Sequence, residues 1–243
     1  MSWLVALLIA AQSAPETNTV VTPLSPEATI AFRQIIAQQN AEAPAPSDPE
    51  IRAAMMTAER DFAVTRGRCS PTSIENVIVT PATAVAIVSN MIDEGHMRNG
   101  WRVSFESMGC ETHGSVHYTL FQMSDGQLTW LRIGQGETRV NASIYIDTMN
   151  MARPALVGFF SYNGVECADE NIRLPSMRLV NESEDMGEDV FGVRLSGEWS
   201  EEWTFYGCGH KALVPISYRW DGATGASISI ALSDARFEPI EVE

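Results

Sequence analysis

Two rhythms of apolar and polar residues alternate along the chain. Over Pro26–Asn40 (PEATIAFRQIIAQQN) the apolar residues Ile30, Phe32, Ile35 and Ile36 recur at near-helical spacing, Ser25 stands where an N-cap belongs, and Pro26 takes the first helical position. From Asp48 to about Val64 the residues Ile51, Met55, Ala58 and Phe62 again fall every three or four positions, with Ser47 or Asp48 as cap, and predict a second helix. Past Cys69 the period drops to two. ENVIVT (Glu75–Thr80), AVAIVSNMI (Ala84–Ile92), GWRVSFES, GSVHYTLFQM (Gly114–Met123) and LTWLRIG read as strands, with Trp101, Val103 and Phe105 on one face and Ser124-Asp125-Gly126 as a turn.

The order then recurs. DTMNMARPALVGFFSY (Asp147–Tyr162) is helical in its first half, and Pro154 is expected to end or kink it. SMRLVNE, DVFGVRLSG, EEWTFYG and ALVPISYRW follow as strands, Asp221–Gly225 makes a turn, and ASISIAL closes the run. Pro215 marks an edge or a bulge. A shift of 98 positions (167 − 69) carries Cys69 to Cys167, Trp101 to Trp199, Phe105 to Trp203, Gly109 to Gly207 and Cys110 to Cys208. Fixed-offset self-similarity of this kind is the mark of an internal repeat. The expected fold is therefore α+β: two tandem repeats, residues 48–140 and 141–243, each a helix packed on an antiparallel β-sheet and each with one disulfide.

Four cysteines allow three pairings. The repeat selects Cys69–Cys110 and Cys167–Cys208, both 41 residues apart. Each bridge would add about 3–4 kcal/mol through the unfolded state. Structural zinc needs close ligand pairs, and no two cysteines here are near in sequence, so no metal is expected. Free buried thiols are the remaining alternative.

The N-terminus supports the oxidising compartment that bridges require. Trp3–Ala11 is an apolar run of nine residues, too short for a bilayer span, which needs roughly 20. Ala11-Gln12-Ser13 offers small residues for cleavage before Ala14, so residues 1–13 read as an export leader, although no Lys or Arg precedes the run. The alternative is a buried first strand or helix. Residues 14–47 read as linker carrying one short helix, with the Pro/Ala spacer AEAPAPSDP at its end. No later segment is apolar for long enough to span a membrane.

Composition narrows the function without naming it. Over 243 residues, 45% hydrophobic content supports a packed core, and a net charge of −15 opposes nucleic acid and anionic lipid as partners. No Gly-x-Ser-x-Gly, phosphate loop, dinucleotide fingerprint or His-Glu-x-x-His occurs, so no catalytic residue and no cofactor is assigned. His113 and His117 would lie on one strand face about 13 Å apart, too far to share a metal, and read as surface or hydrogen-bonding residues. His96 reads as a hairpin tip. Asn181–Val190 carries five carboxylates but lacks a calcium-loop register, and reads as a solvated loop. Asn141-Ala142-Ser143 and Asn181-Glu182-Ser183 match the glycosylation acceptor pattern. Trp101 and Trp199 read as core beside the bridges. Trp203-Thr204 followed by Cys208-Gly209 and a β-rich run, behind an export leader, resembles exported bacterial proteins of unassigned role; the likeness implies no activity and no site residue.

The expectation is an exported, non-catalytic binding or structural protein, periplasmic or secreted. Its partner would be an envelope protein, a peptide or a glycan. Trp130, Trp220, Glu201 and His210 are the candidate ligand contacts. The rival is a periplasmic hydrolase using Glu201 or Glu202 with His210 near the second Trp strand.

Overall fold

A computed structural model describes residues 25–66, 69–110, 114–173, 176–222 and 225–240. The leader expected at residues 1–13, the first part of the linker, and Glu111 and His113 lie outside the described residues. The elements are α1 (Pro26–Glu42), α2 (Asp48–Arg66), β1 (Ser73–Pro81), α3 (Ala86–Asp93), β2 (Met97–Met108), β3 (Ser115–Met123), β4 (Leu128–Gly136), α4 (Ala142–Tyr162), β5 (Ser176–Glu182), β6 (Glu198–Gly207), β7 (His210–Trp220), β8 (Ala226–Ile230) and β9 (Arg236–Pro239).

The α+β class with four helices and a mostly antiparallel sheet holds, and both disulfides form as paired by spacing, each with Cα atoms 5.8 Å apart. Each closes the end of a helix onto the end of a Trp strand. Ser25 caps α1 by accepting from the Ala28 N–H at 3.2 Å. On α2, Ile51, Met55 and Ala58 are buried, as their spacing predicts. Trp101, Val103 and Phe105 are buried beneath them, and Phe105 stacks on Tyr118. Among the described residues no helix is long and apolar enough to cross a membrane.

Among the described residues all nine strands belong to one sheet, in the order β1 to β8, with β9 beside β7. Neighbours are antiparallel everywhere except at β4 and β5, which run parallel through Gln135↔Ser176 and Gly136↔Met177. Gly136 is required at this seam: its φ is +106°, and a Cβ there would lie 1.9 Å from the Met177 carbonyl oxygen.

The parallel seam turns the second half over. Cross-strand partners share a sheet face. Val116 pairs Gln135, Gln135 pairs Ser176, and Ser176 pairs Thr204, so Val116 and Thr204 face the same way. Val116 packs in the cluster formed with α2. Trp203 and Phe205, which flank Thr204 and so point oppositely, pack in the cluster formed with α4. The two helices therefore cover opposite faces of one continuous sheet.

Four local expectations change. AVAIVSNMI is not a strand but α3, because Ile87, Val88, Met91 and Ile92 meet the core at helical spacing and the Ile87 N–H donates to the Ser143 hydroxyl. Short β-branched runs do not distinguish the two periods. DVFGVRLSG is a loop holding a two-residue turn, Phe191-Gly192, with φ of +51° and +93° between the paired Val190 and Val193. Pro154 does not break α4, because it lies on the exposed side where water reaches the opened backbone, while Leu156 and Phe160 beyond it are fully buried. Pro215 is neither on an edge strand nor in a bulge: it sits in β7 between the stretches paired by β8, from Ile216, and by β9, up to Leu213.

Candidate functional site

A cavity of about 810 Å³ opens beside the seam, on the sheet face opposite α2. Its floor comes from β1, β2 and β3, where Thr80, Arg102, Ser104, Ser115 and His117 project from one face. The β4–α4 link, residues 136–139, forms one wall, the Glu188–Phe191 loop another, and α1 contributes Arg33 and Ala37. Apolar surface comes from Ile78, Pro81, Leu179, Val190 and Phe191.

The three cavity arginines differ in what they meet. Arg33 pairs with Glu188 at 2.9 Å and Arg139 with Glu182 at 2.6 Å. The bidentate bond from Arg139 holds the Glu182 carboxyl below its usual range. Arg102 donates to the Thr138 carbonyl at 2.9 Å and makes no ion pair among the described residues. Burial lowers its pKa, opposed by the more distant charges of Asp189 and Glu201.

His117 stands opposite Ser104 and diagonal to Arg102 across the β2–β3 ladder. It is 7% exposed. Its Nε2 lies 2.6 Å from the Gly136 carbonyl oxygen, so Nε2 carries the proton and donates. Nδ1 is then a buried acceptor, and it has no hydrogen-bond partner among the described residues. Burial, reinforced by the positive charge of Arg102, lowers the His117 pKa to about 4, so the ring is neutral at pH 7.

Behind the wall lies a second polar centre. Glu201 is fully buried and accepts from the Arg139 N–H at 2.7 Å, the Thr138 hydroxyl at 2.9 Å, and the indoles of Trp199 and Trp203 at 3.0 and 2.8 Å. Burial raises its pKa while these four donors pull the other way. The Thr138 carbonyl and the Arg139 N–H belong to one peptide group. Arg102 grips its oxygen and Glu201 its N–H, so a half-buried guanidinium and a buried carboxyl share one peptide dipole across the seam.

The residues singled out from sequence are not assembled in one place. Glu201 is enclosed behind the cavity wall. His210 is the first residue of β7, with Nδ1 3.0 Å from the Cys208 carbonyl and its ring stacked on Phe237. Glu201 pairs Ile216, six positions from His210 along β7, or roughly 20 Å at strand rise. Glu202 points to the opposite face, where Arg178 and Arg236 engage it. Trp220 is 5% exposed and stacks on Trp199. Trp130 packs at the edge of the α2 cluster, on the other face of the sheet. Asn141 caps α4 by accepting from the Ile144 N–H and is buried, whereas Asn181 is exposed. Arg102 and His117 are the pair that sequence reasoning passed over as a site. Their signal was faint: polar residues alternating with buried apolar ones normally mark a solvated face. No family model, curated protein or solved structure matches the chain.

Proposed function

We propose that the chain is an exported, non-catalytic binding protein, periplasmic or at the cell surface, that holds a small ligand in the seam cavity. The observation that carries this reading is the cavity itself, about 810 Å³ with both charged and apolar side chains in its lining, among them Arg102, which among the described residues bonds only to the Thr138 carbonyl. A binding role is favoured over acid–base catalysis because a base working near neutrality needs a pKa near 7, and that of His117 is about 4. No serine hydroxyl among the described residues bonds to His117, so a Ser–His nucleophile has no support.

Export is supported by the expected leader and by two disulfides, which persist in oxidising compartments. Duplication of one disulfide-closed unit, the second copy turned over, would explain the 98-residue offset. It would also explain the shared order of one long helix followed by four sequential strands, interrupted in the first half by α3.

The test uses mature chain from a periplasmic fraction, analysed by native mass spectrometry. The expected spectrum contains a small-molecule adduct that is lost in Ser104→Phe, which fills the cavity, with circular dichroism unchanged. Intact mass with and without reductant should show the loss of residues 1–13 and two bridges. Catalytic turnover, or failure to bind any component of a periplasmic metabolite fraction, would reject the reading.

A further inference from the structure

Both signs of charge border the cavity, and not all of it is matched within the protein. Arg33 and Arg139 are paired with Glu188 and Glu182. Half-buried Arg102 belongs to the floor and spends one bond on the Thr138 carbonyl. A guanidinium has five N–H donors in a fixed fork, which suits a carboxylate, so donors remain. Two carboxylates line the same space without an ion pair among the described residues: Glu137 on the β4–α4 link and Asp189 on the other wall. Asp189 acts on Arg102 more strongly than any other carboxylate does, yet from beyond ion-pair distance.

Asp189 is fixed in place. Its Oδ1 accepts from the Gly192 N–H at 3.0 Å, which leaves Oδ2 for a further donor. The turn that fixes it is strained, because Phe191 is a large aromatic residue at φ +51°. Such strain persists where the surroundings over-determine the backbone, as at ligand sites. Here the Ala84 N–H donates to the Phe191 carbonyl and pins the turn from behind. One wall of the cavity thereby carries a carboxylate and an aromatic residue together.

An acid without a cationic group would face Glu137 and Asp189. A cation without an acid would face Arg102. A metal ion fits poorly, because no group of three or more His, Cys, Asp or Glu among the described residues is arranged to hold one. A ligand bearing both charges answers both sides. Ile78, Leu179 and Phe191 offer apolar surface to the rest of such a molecule.

Resting on the binding reading above, we infer that the ligand is a small zwitterion with an apolar body, in the class of α-amino acids with long aliphatic or aromatic side chains. Its carboxylate meets Arg102, and its ammonium meets Asp189, with Glu137 on the opposite wall adding to the attraction. Its side chain lies along Ile78, Leu179 and Phe191. Neither ring nitrogen of His117 takes part: Nε2 is bonded to the Gly136 carbonyl and Nδ1 is buried.

The experiment is calorimetric titration of the mature full-length chain with leucine, norleucine and phenylalanine. Each is compared with its carboxamide, which keeps only the ammonium, and its N-acetyl derivative, which keeps only the carboxylate. The best amino acid should bind at least about tenfold more tightly than either derivative, the range expected for a hydrogen bond to a charged group. Arg102→Met should remove the preference over the carboxamide. Asp189→Asn can keep the bond to Gly192 and should remove most of the preference over the N-acetyl derivative. Glu137→Gln should weaken that preference by about threefold, as suits an exposed charge. Near-UV circular dichroism checks the folds. The ligand comparison needs no variant, so the inference stays testable if one misfolds. Derivatives that bind as well as the parent, or preferences unchanged in folded Arg102→Met or Asp189→Asn, would overturn the inference while leaving the cavity reading intact. If no amino acid in the series binds, while a periplasmic component still occupies the cavity, the inference again fails alone. If nothing binds, both fail.

Discussion

Among the described residues the two halves each bury one carboxylate, and they do so differently. Under α2, Glu59 accepts from the Tyr118 hydroxyl at 2.6 Å and from Arg132 at 3.0 Å, and the Arg132 guanidinium lies 4.0 Å from the Phe62 ring centroid. All four residues belong to the first half, so this ion pair holds one helix to its own strands. On the opposite face, Glu201 meets no cationic side chain directly among the described residues. Two of its donors are indoles of its own strand, and the other two come from Thr138 and Arg139 in the first half. Glu59 stabilises a unit, whereas Glu201 joins two units across a parallel contact only two residue pairs long. A cation beside the carboxylate suffices within a half, while the seam is held through a shared peptide.

The largest expected effect is that of Glu201→Leu. It leaves four buried donors without an acceptor, at about 1–3 kcal/mol each. Urea titration should show a loss of about 5 kcal/mol or more. Glu59→Leu should cost about 3–5 kcal/mol by leaving Arg132 buried and unpaired, and adding Arg132→Met should restore most of it. If Arg102→Met likewise restored Glu201→Leu, Arg102 and Glu201 would be a simple ion pair and the contrast would be broken.

The disulfides come next. Both close loops of 41 residues, so chain entropy assigns each about 4 kcal/mol. Cys167 is buried in the α4 cluster, whereas Cys69 is exposed. Replacing Cys167 and Cys208 with alanine should therefore cost about 1 kcal/mol more than replacing Cys69 and Cys110. Timed alkylation under mild reductant should open Cys69–Cys110 first. Equal costs and equal rates would remove this difference between the halves.

A smaller effect depends on pH and belongs to the first half, since a shift of 98 positions takes His117 to Pro215. Unfolded, His117 titrates near 6.5; folded, at about 4. Between those values the unfolded chain holds the extra proton, so stability falls as pH drops from 6.5 towards 4. The full window corresponds to roughly 3 kcal/mol. His117→Gln removes this component, so the stability gap between parent and variant should shift by about 2 kcal/mol between pH 7 and 4.5 in urea titrations. A constant gap would show that the ring is solvated. The smallest effect is that of Glu202→Gln. Its partners Arg178 and Arg236 are 65% and 58% exposed, so the loss should stay below about 1 kcal/mol.

Much of the secondary structure was legible because its causes are local. The α2 stripe, the Trp101 and Trp199 strands and the hairpin at Ser124–Gly126 follow from spacing within a few residues. The misread pieces were those in which distant packing outweighed local signal. Ala86–Asp93 coils because α4 and β2 offer it an apolar seat, and α4 continues past Pro154 because Leu156 and Phe160 are buried beyond it. The candidate site was hidden for the same reason. Arg102 and His117 look like the solvated half of two alternating strands. They line a cavity because the β4–α4 link and the Glu188–Phe191 loop cover that face.

The sequence by itself determined the strand and helix periods and, through the equal spacing of its cysteines, the two bridges, because each depends on intervals along the chain. Only the tertiary structure decided that β4 meets β5 in parallel, that α2 and α4 therefore lie on opposite faces, and that Arg102 and His117 border a cavity. Strand order and direction between distant segments are set by burial and hydrogen bonding across space, and no interval in the chain records them.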